Sequence, residues 1–74
     1  INYFSLKDGH IKLLIHDIIG REIKTLVNGF QKSGYKTAVW NGTNHLGQTV
    51  SAGMYFYTIH ATNYTHTKKM LFLK

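Results

Sequence analysis

The chain has no cysteine, no proline and only three carboxylates, Asp8, Asp17 and Glu22, among its 74 residues. Without cysteine there is neither a disulfide staple nor a thiolate metal site, although an extracellular home stays open to a chain without them. Three scattered carboxylates offer no acid/base dyad: Asp17 reads as a turn acceptor, and Glu22, beside Arg21, as a surface charge. Apolar runs last only a few residues, far below the ~20 that a membrane-spanning helix needs, and no basic, apolar leader opens the sequence. Ser5, Ser33 and Ser51 lie outside any Gly-x-Ser-x-Gly elbow, and the glycines between 42 and 53 lack the lysine and following helix of a phosphate-binding loop. The sequence therefore points away from an enzyme and implies no cofactor.

What is present is enough to fold. A hydrophobic fraction of 43 % argues against disorder, while a length of 74 residues allows one domain with a thin core. The start at Ile1, without methionine and already inside a strand-like stretch, suggests a fragment that continues upstream. Nine basic residues give a net charge of +6, which favours anionic partners in general. Only Lys68 and Lys69 are adjacent, however, so the bland account is a solvated surface with edge-protecting lysines, and no nucleic-acid partner is expected.

The pattern along the chain is that of short strands. Residues 1–6 read as a first strand, closed by Lys7-Asp8-Gly9. Ile11, Leu13 and Ile15 alternate with polar residues in a second, broken only by Leu14. Asp17-Ile18-Ile19-Gly20 has turn chemistry, with Asp17 placed to accept a backbone N–H two residues on. From Arg21 the spacing shifts: Ile23, Leu26, Val27 and Phe30 would also fit a helical face. A bulged strand interrupted at Asn28-Gly29 is the preferred reading, with a helical turn as the alternative. Ser33-Gly34 makes another turn, residues 35–40 another strand, and residues 53–62 and 64–73 a final pair joined around Asn63. No segment of ten residues is helical in pattern, so the fold class is all-β, an antiparallel sandwich.

Three groups could carry more than structure. If the last hairpin turned symmetrically about Asn63, His60 and His66 would face each other with Cβ atoms about 5 Å apart, but a stable zinc site wants a third ligand and none is placed nearby. His10 and His16 read as the polar face of a strand. The oxygen-rich loop 41–48 raises a calcium question, yet Asn41 and Asn44 are neutral amides and read better as turn formers. Tyr55, Tyr57 and Ile59 alternate toward a core, leaving Met54 and Phe56 on the other face, where they are either covered or form an interaction patch.

The order Trp40-Asn41-Gly42, a glycine-punctuated loop, then Gly53-Met54-Tyr55-Phe56-Tyr57 resembles the carboxy-terminal sorting domain of the type IX secretion system and its relative, the immunoglobulin-like domain of the flagellar hook-capping protein. Ile15-His16-Asp17-Ile18-Ile19-Gly20-Arg21-Glu22-Ile23 resembles the family's Tyr-Asp-x-x-Gly-Arg element, and Thr67-Lys68-Lys69-Met70 with Lys74 its terminal strand. Relatives often carry proline at the position of Lys7 and aspartate at those of Asn41 and Asn44.

The resemblance implies a small immunoglobulin-like antiparallel β-sandwich of about seven strands, with residues 1–74 forming one carboxy-terminal sorting or interaction domain. It further implies a non-catalytic signal that directs attached cargo through the periplasm and outer membrane to the cell surface or medium. The partners would be the outer-membrane translocon, a sortase-like peptidase and the upstream cargo domain. Recognition residues by the same resemblance are Lys68, Lys69, Met70 and Lys74, with Gly53 and Tyr55 shaping the preceding strand. The rival is a structural module that packs on its upstream domain or scaffolds assembly, as in the hook-capping relative. Carbohydrate binding by exposed aromatics is a third class.

Overall fold

A computed structural model describes residues 1–62 and 64–73. Six strands follow one another: β1 (Asn2–Ser5), β2 (Gly9–His16), β3 (Glu22–Gln31), β4 (Gly34–Thr37), β5 (Gly53–His60) and β6 (Thr65–Phe72). They form two antiparallel sheets, a two-stranded one of β1 and β4 and a four-stranded one in the order β3-β2-β5-β6.

The alternation in β2 sets the core. Ile11, Leu13 and Ile15 are buried completely or nearly so. Pairing of Leu13 with Ile59 and of Ile15 with Tyr57 places the apolar face of β5 beside them. Tyr3 from the smaller sheet closes over Ile11, Leu13 and Ile59, with Ile1, Leu26, Val27 and Ala38 packed around this cluster. The core is thin because the small sheet covers only part of the large one.

The ambiguous spacing after Arg21 has a geometric cause. Register shifts between Leu13 and Leu14 and between Ile15 and His16 leave Leu26 and Ile23 as extra residues on β3. At the Leu26 bulge two consecutive side chains, Leu26 and Val27, pack against the core, which in sequence imitates a helical face. The bulged strand is correct, but Asn28-Gly29 does not interrupt it: these residues pair with Lys12 and Ile11, and β3 runs on to Gln31. Phe30 pairs with His10, on the outer face, and is 65 % exposed.

Six strands are found among the described residues, where about seven were expected, and the strand expected at residues 35–40 ends at Thr37. The stretch from Ala38 to Ala52 holds only one isolated bridge, Thr43 with Thr49. Ala38 still exchanges hydrogen bonds with Ile1, and farther on the Asn44 side-chain oxygen accepts the amides of Leu46 (2.9 Å) and Gln48 (3.0 Å), forming the turn its sequence suggests. The Asp17 turn forms as its sequence suggests, with Asp17 Oδ1 accepting from the amides of Ile19 (3.1 Å) and Arg21 (2.8 Å) and Gly20 at a positive φ.

The last hairpin corrects one register. Asn63 lies outside the described residues, but the flanking strands pair His60 with Thr65 and Ile59 with His66. The two histidines thus point to opposite faces, one residue out of the register that would have joined them.

Candidate interaction surface

Trp40, Tyr55 and Phe72 meet at one end of the sandwich. Trp40 lies 5.1 Å from each of the other two rings, centroid to centroid. Its indole N–H donates to the Thr43 carbonyl (2.9 Å), and the Tyr55 hydroxyl donates to the Ser51 carbonyl (2.6 Å), so each ring buries its apolar body while its polar tip is satisfied by the loop. Gly42 is buried beneath Phe72 at φ +77°, and a Cβ there would overlap the ring. The Trp-Asn-Gly signature is therefore a device for closing the sandwich. Asn41 accepts the Thr43 hydroxyl and Asn44 the loop amides, which makes both turn formers.

β6 is an edge of the large sheet, and it splits the residues singled out for recognition. Lys68 pairs with Tyr57 and shares its inward face, whereas Lys69 pairs with Phe56 and faces outward. Adjacent in sequence, the two lysines form no common patch. Met70, half-buried, pairs with Tyr55, which is buried, and Gly53 pairs with Phe72. Lys74 lies outside the described residues.

Phe72 escaped the sequence reading as a key residue. The available signal was its parity: it stands two positions beyond Met70, on the inward face of the strand.

Among the described residues no second layer covers the outer face of the large sheet. Here Met54, 44 % exposed, pairs with Leu71, 65 % exposed. Phe56 stacks on His16 with a centroid separation of 5.7 Å. Beside them Thr58 bonds both His16 Nε2 and Thr67 Oγ1, each at 2.9 Å, tying three strands together. Lys12, Lys69 and His60 flank this strip, so the Met54–Phe56 alternative resolves toward an uncovered apolar strip in a basic setting.

Each side-chain carboxylate has a structural partner within the domain. Asp8 accepts the Ser33 amide, Glu22 the Thr25 hydroxyl, and Asp17 the Arg21 guanidinium at 2.8 Å. Desolvation pushes the Asp17 carboxyl upward, but hydrogen bonds from the Arg21 amide and guanidinium, the charge of Arg21 and the Ile19 amide outweigh it and hold the group below its ordinary value. Burial, with the nearby Tyr64, raises the Tyr3 hydroxyl. Among the described residues no three histidine, aspartate or glutamate side chains gather as metal ligands.

Two antiparallel sheets packed around a shared core, closed by an aromatic corner, define a small immunoglobulin-like β-sandwich. Residues 6–65 match the family model of the FlgD Ig-like domain, and the chain belongs to that family. The match ends at Thr65, the first residue of β6, so Lys68, Lys69, Met70 and Phe72 lie beyond it. A search of curated proteins gave no match.

Proposed function

We propose that this immunoglobulin-like module is a non-catalytic sorting domain that directs an attached cargo protein through the type IX secretion system to the cell surface or medium. The outer-membrane translocon would read it, and a sortase-like peptidase would process it. The supporting observation is the state of β6: an edge strand with one side unpaired, pinned at its far end by Phe72 and presenting Lys69 beside the Met54–Leu71 pair. An unpaired strand edge offers backbone donors and acceptors to a receptor, and the likeness of Thr67-Lys68-Lys69-Met70 to the terminal strand of sorting domains points the same way.

A second reading is a structural module that packs on its upstream domain or scaffolds assembly. It is favoured by the family match itself and by Ile18 and Ile19, 68 % and 72 % exposed at the β2–β3 turn, an apolar tip suited to a neighbouring domain.

The two separate in an export experiment. The chain is fused to a periplasm-directed fluorescent protein in a bacterium with a type IX system, and reporter outside the cell is compared for the wild type and the Lys69→Glu variant, both verified as folded. Export that falls with Lys69→Glu supports sorting. Retention of the folded wild type in the periplasm removes the sorting reading and leaves the structural one.

A further inference from the structure

Between β1 and the inward face of β6 lies an open groove of about 350 Å³, within the range of ligand-binding clefts. Its floor is apolar, formed by Tyr57 and Ile59, and Tyr64 stands at one end. Two features distinguish it from an ordinary gap in packing.

The first is the backbone of β1. The Ile1 ammonium donates to the Ala38 carbonyl and the Ala38 amide donates to the Ile1 carbonyl, each at 2.8 Å. Antiparallel pairing alternates, so Tyr3 and Ser5 also bond toward β4, while the amides and carbonyls of Asn2 and Phe4 point away from it. Among the described residues β1 has no strand on that side. The free groups therefore face the groove, and the Tyr64 hydroxyl already donates to the Phe4 carbonyl at 3.2 Å. Apart from that bond, the free edge of β1 lacks a strand.

The second is charge. Edge strands β3 and β6 each turn one lysine inward, Lys24 and Lys68. Lys24 reaches the Thr43 hydroxyl at 3.1 Å, whereas Lys68 lines the groove beside His66. Among the described residues no carboxylate lines the groove, and the one ion pair is Asp17 with Arg21. An inward lysine disfavours a purely apolar strand at this place and favours one that brings an acid. A second copy of this chain, with net charge +6 and all three side-chain carboxylates engaged within the domain, is poorly suited to supply it.

We propose that this groove is a strand-addition site for an extended acidic peptide segment of a partner protein. The segment pairs with the free amides of Asn2 and Phe4 and the Asn2 carbonyl, displaces or shares the Tyr64 hydroxyl at the Phe4 carbonyl, lays apolar side chains on Tyr57 and Ile59, and sets a carboxylate against Lys68 and His66. This does not depend on the sorting reading, since it concerns β1 and the inner face of β6, not the outward Lys69.

The test is a titration of the isotope-labelled chain, followed by amide resonances, with a synthetic peptide of about six residues alternating valine and aspartate, a typical strand length. Its analogue alternating valine and lysine serves as the control. Shifts confined to Asn2, Phe4, Tyr64, His66 and Lys68, weakened about ten-fold by Lys68→Glu, are expected. Asn2→Pro, which removes a free-edge amide and no backbone sheet hydrogen bond, is compared with Asn2→Ala, which loses the same side-chain bond from the Thr37 hydroxyl but keeps the amide, and is expected to bind about five-fold more weakly than it while the spectrum stays folded. Equal binding of the lysine peptide, shifts that map to another edge, indifference to both variants, or absence of binding would each overturn the proposal. So would concentration-dependent shifts at the same residues without peptide, because a second copy would then fill the groove.

Discussion

The ring of Phe72 occupies the space that any side chain on Gly42 would need. One residue is in the loop after β4 and the other at the end of β6, so the contact joins the middle of the chain to its last strand. The loop can keep its course only while position 42 has no Cβ, and Phe72 can reach Trp40 and Tyr55 only while the loop keeps its course.

Gly42→Ala should destabilise the domain by about 2–4 kcal/mol, combining left-handed backbone strain with overpacking against the ring. Gly47, at φ +78° with open space around it, carries the backbone penalty alone, so Gly47→Ala should cost about 1 kcal/mol. Urea unfolding of the two variants measures the difference. Adding Phe72→Ala to Gly42→Ala should cost less than the sum of the single changes, because the overlap is then relieved.

Phe72→Ala by itself should lower stability by about 2 kcal/mol, whereas Leu71→Ala, at an exposed position, should stay within about 0.5 kcal/mol. Thermal denaturation of both variants checks this. Deleting residues 70–74 removes Phe72 as well, so loss of export on truncation would mix recognition with unfolding, and point substitutions on folded variants are needed instead.

Leu13, fully buried at the centre of the large sheet, should be the most sensitive aliphatic position. Leu13→Ala is expected to cost about 3 kcal/mol, a large share of the roughly 4–11 kcal/mol available to a chain of this length. Val39, 81 % exposed, is the contrasting position: Val39→Ala should leave the urea midpoint unchanged.

The Asp17 turn should make stability depend on acid pH. The native carboxyl titrates below its ordinary value of 3.8, so in that window the unfolded chain holds a proton that the folded one does not. The contribution is complete above pH 3.8 and is lost as pH falls through the lower native value. Asp17→Asn keeps a side-chain acceptor but loses the ion pair with Arg21. Its deficit relative to wild type in urea midpoints should be largest near neutrality and should shrink below pH 3.8.

The all-β class was legible from short alternating segments separated by turn residues, and the alternation of Ile11, Leu13 and Ile15 and the Asp17 turn because each rests on residues near one another in the chain. The bulges were legible only as an irregularity. The same stretch fits a helical face until pairing with β2 fixes which residues are extra. The candidate surface was less accessible still: Lys68 and Lys69 read as a pair, yet a strand sends neighbours to opposite faces, and only the sheet's position in the sandwich decides which face is covered.

By itself the sequence determined the all-β class, the Asp17 and Asn44 turns and the buried face of β2, since these follow from backbone geometry and local hydrogen bonding. Tertiary structure alone decided the role of Gly42 beneath Phe72 and which of the two lysines faces the core. It also left β1 with an open edge over a cationic groove. Those features depend on contacts between residues distant in the chain, and a local pattern carries no information about which distant partner will arrive, or in what register.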